Sequence, residues 1–452
     1  MKQFSLFTRP RLPPKSFKWR NLITVAIETS CDDTSVAVLE KHANRSVQLH
    51  FHTKITSDNR CFRGVHPIAA HESHQFNLAR LVQQAIESLP LASAVDKCAG
   101  RAAIYGTRLL KKPDFVTVTR GPGMRASLIT GLDTAKGLSV AWQVPLLGVN
   151  HMQAHALTPH LVSALNTFLS GTDEAVQLTP AFPFLTLLVS GGHTMLVHTR
   201  SPWEHKIIAN TTDLSIGDML DKSARVILPT SQISSSSDVM YGRLLEEFAF
   251  PCLSPRYEYV PPKTSIKARS GEHHGYNWKI TPPYISPGPE GPLKYADSFS
   301  FSGMGSKARS TMAQNPNMSI AERRCLAQIL MTVAFEHLAS RILFSLDQQA
   351  LCGISALVVS GGVASNQFLH TVLRRLLNAR SFQHIQLVIP PSNLCTDNAA
   401  MIAWTGMEMF EAGWTTQLCA SSLRQWSIDS NCSDGGILGA SDWLYNGCDH
   451  KQ

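Results

Sequence analysis

The sequence predicts an α/β protein of two related lobes, and three observations carry the prediction. β-Branched runs alternate with stretches of helical spacing, a strand–turn–strand unit recurs about 160 residues after its first copy, and acidic or glycine-bearing turns close several strands. At 452 residues with 44% hydrophobic and 16% charged content, the chain can bury a large core in two or three domain-sized units. Its ten cysteines are scattered without a CxxC pair, which excludes a zinc ribbon or a secreted disulfide framework and suits a reducing compartment. No uninterrupted apolar run reaches the ~18 residues of a membrane span, so no membrane partner is expected.

Residues 1–21 stand apart. Lys2, Arg9, Arg11, Lys15, Lys18 and Arg20 are basic and no acidic residue precedes Glu28, the pattern of a mitochondrial presequence that sends the chain to the matrix. The alternative is a disordered or nucleic-acid-binding basic arm. Without these six cations the formal +8 falls to about +2, so any RNA contact has to come from local patches.

From Thr24 to Leu39, TVAIETSCDDTSVAVL reads as strand, tight turn and strand. Phe115 to Thr119 is a buried strand broken by Gly121, Pro122 and Gly123 ahead of a helix over Ser127 to Trp142. FLTLLVSGGHTMLVHT, from Phe184 to Thr199, repeats the first unit's plan. Residues 251–294, rich in Pro, Gly, Ser and Tyr, carry Lys263, Lys267, Arg269 and Lys279 without periodicity. They read as an irregular inserted loop, either a solvated linker or an arm that contacts RNA. An amphipathic helix is expected over Ile320 to Leu346, then a strand from Leu357 to Ser360 ending in Gly361 and Gly362. A helix over Asn366 to Leu377, a strand from Leu387 to Ile389 and a core helix over Ala399 to Phe410 follow. The expected division is a first lobe of residues 22–155 completed by 405–445, and a second lobe of residues 156–404.

Four turns at strand ends, Glu28 to Ser35, Gly121 to Gly123, Ser190 to Thr194 and Ser360 to Asn366, offer backbone amides that can cradle phosphates. His151 and His155 in NHMQAHAL project from one helical face at metal-ligand spacing. The third ligand is sought in Asp397 of LCTDNAAM, which follows a strand and precedes a helix. A zincin protease would carry Glu after the first histidine, where this chain has Met152. Cys31 has no basic neighbour in the strand–turn motif and reads as packing.

With ETSCDDTSVAV, VTRGPG, VNHMQAH, VSGGHT, GDMLDK, FSFSG, SGGVASN and CTDNAAM in this order, the chain resembles the universal tRNA threonylcarbamoyladenosine transferase family, and its mitochondrial branch in particular. The resemblance spans roughly Thr24 to Asp429. It implies an actin-like ATPase (ASKHA) fold of two ribonuclease H-like lobes with the active site between them. It further implies transfer of a threonylcarbamoyl group from threonylcarbamoyl-AMP to adenosine 37 of tRNAs reading codons that begin with adenine, by a homodimer. One divalent ion per subunit, iron, zinc or magnesium, would sit on His151, His155 and Asp397. The anhydride would be held by Leu188, Val189, Ser190, Gly191 and Gly192, by Asp221 and by Asn366, with the amides up to His193 offered to its oxygens. The adenine amine is a weak nucleophile, so the mixed anhydride supplies the activation and Asp32 or Asp33 is expected to accept the amine proton, the alternative being that this pair supports the metal ligands from behind.

The chain departs from the family at several places. A serine-rich stretch from Ile233 to Val239 replaces the family's tyrosine, proline and paired glycines, leaving Gly242 without a fixed register. Asp218 and Leu220 stand for Glu and Phe, and Glu72 replaces a common Arg in PIAAHESH, which keeps Pro67 and His74. Two rival functions are an ATPase or kinase of the same superfamily, which the phosphate-cradling turns suit but the histidine pair does not, and a noncatalytic scaffold.

Overall fold

The computed structural model describes residues 21–446 apart from 63, 172–175, 236–240, 252–256, 264–266, 285–294, 348–350 and 352, so all but the last residue of the expected presequence lies outside the described residues. β1 (Leu22–Glu28) and β2 (Asp33–Lys41) are buried along their whole length. That is why the middle of each, VAI in β1 and VAVL in β2, is apolar without alternation. They pair antiparallel with Glu28 opposite Ser35, and β3 (Val47–Thr56) continues the meander.

α1 (Pro67–Glu87), the short α2 (Ala94–Cys98) and a small hairpin of β4 (Ala102–Tyr105) and β5 (Arg108–Lys111) lead to β6 (Phe115–Gly121), which runs parallel to β1. α3 (Arg125–Trp142) crosses back to β7 (Leu146–Asn150), parallel to β6. α4 (His151–Ser170) starts without a linker, because the Asn150 side chain accepts the Met152 and Gln153 amides at 2.9 and 3.2 Å and caps it at once.

A second meander of β8 (Phe184–Val189), β9 (Thr194–Thr199) and β10 (His205–Thr211) follows. Next come α5 (Ile216–Ile227), α6 (Thr230–Ser235), α7 (Tyr241–Ala249), a two-residue ladder of β11 (Arg269–Ser270) and β12 (Lys279–Ile280), β13 (Ser298–Phe299), α8 (Ser302–Gln314) and α9 (Ile320–Leu346). β14 (Ala356–Ser360) lies parallel to β8; α10 (Gln367–Ala379) crosses to the parallel β15 (Gln386–Val388), and α11 (Ser392–Cys395) is a single turn. The chain closes with α12 (Ala399–Glu411), β16 (Trp414–Thr416) and β17 (Trp443–Tyr445).

The two sheets run β17-β16-β7-β6-β1-β2-β3 and β13-β10-β9-β8-β14-β15. Five consecutive strands of each, β3-β2-β1-β6-β7 and β10-β9-β8-β14-β15, have the same connectivity: an antiparallel meander followed by two parallel crossovers. This duplicated ribonuclease H-like plan is the actin-like ATPase architecture. In the first sheet α1 and α3 cover one face and α4 and α12 the other.

The chain divides into two compact units, one of residues up to 179, 202–204 and those from 397 on, the other of residues 180–201 and 205–396. Residues 156–179 and 397–404, expected in the second lobe, therefore belong to the first. The cause is helix continuity: α4 runs unbroken from His151 and packs on α12, so neither helix can be cut where the sequence division placed it.

α9 has the expected bounds, and burial reaches round more of it than a single apolar face. It is long and apolar enough to cross a membrane, yet it is mostly buried inside the second unit. Its buried Glu336 accepts hydrogen bonds from the Tyr259 hydroxyl and from Arg269, and its Trp278 and Tyr259 covers come from the inserted segment. The described part of that insertion is thus neither a solvated linker nor a free arm. Tyr259, Trp278 and Ile280 are core residues, and Trp278 Nε1 donates to Glu322 at 3.0 Å.

Candidate metal centre and substrate loop

Because α4 begins at His151, the two histidines occupy its first and fifth positions on one face. Asp397, just ahead of α12, meets them. Its Oδ1 lies 3.3 Å from His151 Nε2 and 3.1 Å from His155 Nε2, and the three ligand atoms fall within 4.8 Å of one another. Both histidines are buried while the Asp397 side chain keeps 23% of its exposure, so the cluster is open on the carboxylate side. Two imidazole nitrogens and a carboxylate oxygen converging in this way fit a divalent cation, and the donor set suits iron, zinc or magnesium. All three residues expected as ligands are brought together.

Without an ion, a proton on His151 balances the charge of the cluster. Burial drags the His151 imidazole down, but the Asp397 and Glu28 carboxylates on either side outweigh it and hold the ring protonated well above its ordinary range. Burial raises Asp397 too, and the two histidines reverse that, keeping it ionised well below the usual carboxylate range. His155, dominated by burial, stays neutral.

Sequence reasoning gave Glu28 no role. It ends β1 fully buried, with Oε2 3.1 Å from His151 Nδ1 and 2.5 Å from the Thr119 hydroxyl, and Oε1 taking the Ser30 amide at 2.5 Å. The available signal was an acid closing an otherwise apolar strand, since a buried charge demands a partner. His74 of α1, also unassigned, braces the same turn. It meets the Thr34 hydroxyl at 2.8 Å and the Cys31 carbonyl at 3.0 Å.

The two aspartates of the turn differ. Asp33 is tied up by the Lys54 ammonium at 2.9 Å and the Thr56 hydroxyl. Burial, partly offset by Lys54 and reinforced by Asp397, lifts its pKa to about 6. Asp32 accepts hydrogen bonds from Asn59 Nδ2 at 3.0 Å and from the Cys31 thiol, and burial together with the Asp397 charge raises it as well. Burial and the Asp32 carboxylate push the Cys31 thiol well up, which leaves it neutral and inert, in keeping with a packing role.

In the second unit, the residues expected to hold substrate gather at the C-terminal ends of the parallel strands β8 and β14, where open α/β sheets bind ligands. Leu188 and Val189 are core side chains and present only backbone. Gly191 and Gly192 are exposed, and the amides of Gly192 and His193 turn onto Ser190 Oγ at 3.2 and 3.0 Å. The N-terminus of α5 abuts this turn: Gly217 donates to the Ser190 carbonyl at 3.2 Å, and a Cβ at Gly217 would lie 2.5 Å from that oxygen. Gly361, at φ +100°, lets β14 end against Val189, whose carbonyl a Cβ would meet at 2.4 Å. Asn366 caps α10, its side-chain oxygen accepting the Leu369 amide at 2.9 Å. Asp221 Oδ1 accepts the Gly242 amide at 2.7 Å. Gly242, which sequence register left unassigned, is thereby placed beside an expected substrate residue by the first turn of α7.

The family model described as tRNA N6-adenosine threonylcarbamoyltransferase matches residues 49–404. A mitochondrial tRNA N6-adenosine threonylcarbamoyltransferase of Schizosaccharomyces pombe is 35% identical over 437 residues, covering 94% of this chain and 90% of the relative. Bacterial proteins of the same description from Methylocapsa acidiphila and Chelativorans are 28% and 29% identical, each covering 90% of this chain and at least 96% of the relative. The chain belongs to the tRNA N6-adenosine threonylcarbamoyltransferase family and is an enzyme of that class.

Proposed function

We propose that this enzyme transfers the threonylcarbamoyl group of threonylcarbamoyl-AMP to the exocyclic amine of adenosine 37, in mitochondrial tRNAs that read codons beginning with adenine, and releases AMP. The observation that carries the proposal is the convergence of His151, His155 and Asp397 on one point. A divalent ion held there would offset negative charge on the anhydride's oxygens. The amine lone pair attacks the carbamoyl carbon, the bond from that carbon to the AMP phosphate oxygen breaks, and a carboxylate takes the amine proton.

Asp32 suits that last task better than Asp33, which is already bonded to Lys54 and Thr56. The turn at Leu188, Val189, Ser190, Gly191, Gly192 and His193, with Asp221 and Asn366, holds the anhydride. Since Leu188 and Val189 are core side chains, that hold is through main chain at those two positions. The acid-free basic leader and the mitochondrial relative support a matrix location, and the enzyme acts as a homodimer.

Reconstitution tests the proposal: purified protein, the anhydride and an unmodified tRNA of that decoding class, followed by nucleoside mass analysis. The expected product is threonylcarbamoyladenosine with one AMP per transfer. Release of ADP from ATP without tRNA would instead identify the superfamily's ATPase chemistry.

A further inference from the structure

Glu28 forms its ion pair with a histidine, His151 Nδ1 lying 3.1 Å from its Oε2. The carboxylate is fully buried, and its oxygens are filled by the Ser30 amide, the Thr119 hydroxyl and His151 Nδ1. An amide side chain could accept the same hydrogen bonds without a charge to desolvate, so a purely structural need does not call for an acid here. The other side of the ring does. His151 Nε2 points to Asp397; once a cation takes the place of the Nε2 proton both imidazoles are neutral, and the pocket then holds the charges of Glu28 and Asp397, which one divalent cation balances.

His155 provides the contrast. Its Nδ1 is buried and has no hydrogen-bond partner among the described residues, so nothing polar fixes that ring's rotation or tautomer. The better-held ligand is the one backed by Glu28.

We infer that Glu28 is a positioning residue for the metal centre: it takes the Nδ1–H of His151, fixes the tautomer that leaves Nε2 as donor, and adds the second negative charge that favours a divalent ion over a monovalent one. This rests on the reading of His151, His155 and Asp397 as ligands. Carboxylates behind metal-bound histidines orient the ring and raise its basicity, and losing one typically weakens metal binding about 10–100-fold. Thr119 acts one step further out by locking the rotamer of Glu28.

The test measures the zinc dissociation constant of the full-length protein by competition with a chromophoric chelator. The visible spectrum of the cobalt-loaded protein and the thermal melt of the metal-free protein are recorded alongside. Glu28→Gln is expected to weaken zinc binding about 10–100-fold and to shift the cobalt bands, while the metal-free melt stays level or rises because a buried charge has gone. Thr119→Val, which leaves the carboxylate in place, is expected to weaken binding several-fold and covers the case in which Glu28→Gln does not fold.

A Glu28→Gln protein that binds zinc within threefold of the parent, with an unchanged cobalt spectrum, overturns the inference; unchanged binding in Thr119→Val does so if Glu28→Gln is insoluble. The His151→Ala, His155→Ala double variant separates the two levels. If it binds zinc as the parent does, the ligand reading itself falls and Glu28 with it; if it loses zinc while Glu28→Gln does not, only the role of Glu28 falls.

Discussion

The turn between β1 and β2 is crowded with acidic side chains, whereas the turn between β8 and β9 offers mainly backbone. Glu28, Asp32 and Asp33 crowd the first, each met by a donor from elsewhere in its unit: Thr119 and His151, Asn59, Lys54 and Thr56. Exposed Gly191 and Gly192 form the second, with α5 pressed against it through Gly217. The same meander opens both sheets, so connectivity does not set the chemistry of a turn. What sits beside its strand decides that: the start of α4 in one case, the start of α5 in the other.

Four changes would break or sharpen this contrast. Removing the imidazoles behind the first turn, as His151→Ala with His155→Ala, should lower transfer at least ~10²-fold, since it strips the charge stabilisation at the anhydride. Nucleoside mass analysis reads it, and a folded double variant keeping half its activity would refute the site. Asp32→Asn should cost roughly 10²-fold in kcat and little in metal content, while Asp33→Asn should cost less than ~10-fold. The reverse order would move the proton acceptor to Asp33.

Gly217→Ala drives a methyl toward the Ser190 carbonyl and should displace the second turn. A rise of about 10-fold in KM for the anhydride is expected with zinc binding untouched; a change in metal binding instead would undo the separation between the two turns.

The smallest effect is on stability. Asp33 has a native pKa of about 6 against an unperturbed 3.8, so between those values the native state binds the extra proton. Its ionisation therefore subtracts stability as the pH climbs from about 4 to about 6, roughly 3 kcal/mol in all. Denaturant melts across that window should be flatter for Asp33→Asn, and identical slopes would show that Lys54 cancels the burial.

Much of this was legible in the sequence because the signals were local. Buried strands such as Phe184–Val189 announce themselves as unbroken apolar runs, and α9 carries its bounds in Ser319 and a helical period of 27 residues. His151 and His155 were readable because four residues make one helical turn.

What stayed hidden depends on neighbours distant in the chain. Glu28 gains its partners only when β6 lies beside β1, which delivers Thr119, and when α4 starts where β7 ends. Gly242 meets Asp221 only after α7 folds back on α5. The burial of α9 could not be read from a segment whose covers, Tyr259 and Trp278, sit in a stretch with no periodicity at all. Unit boundaries failed for the same reason, since a motif marks a ligand but not the helix that continues beyond it.

The ligand separation has a consequence for biosynthesis. Asp397 follows His155 by 242 positions, with nearly the whole second unit threaded between them. A nascent chain exposes both imidazoles long before the carboxylate that completes the trio exists. On the proposed ligand reading, a product of premature termination upstream of that aspartate lacks one of the three ligands, whatever else of it has folded.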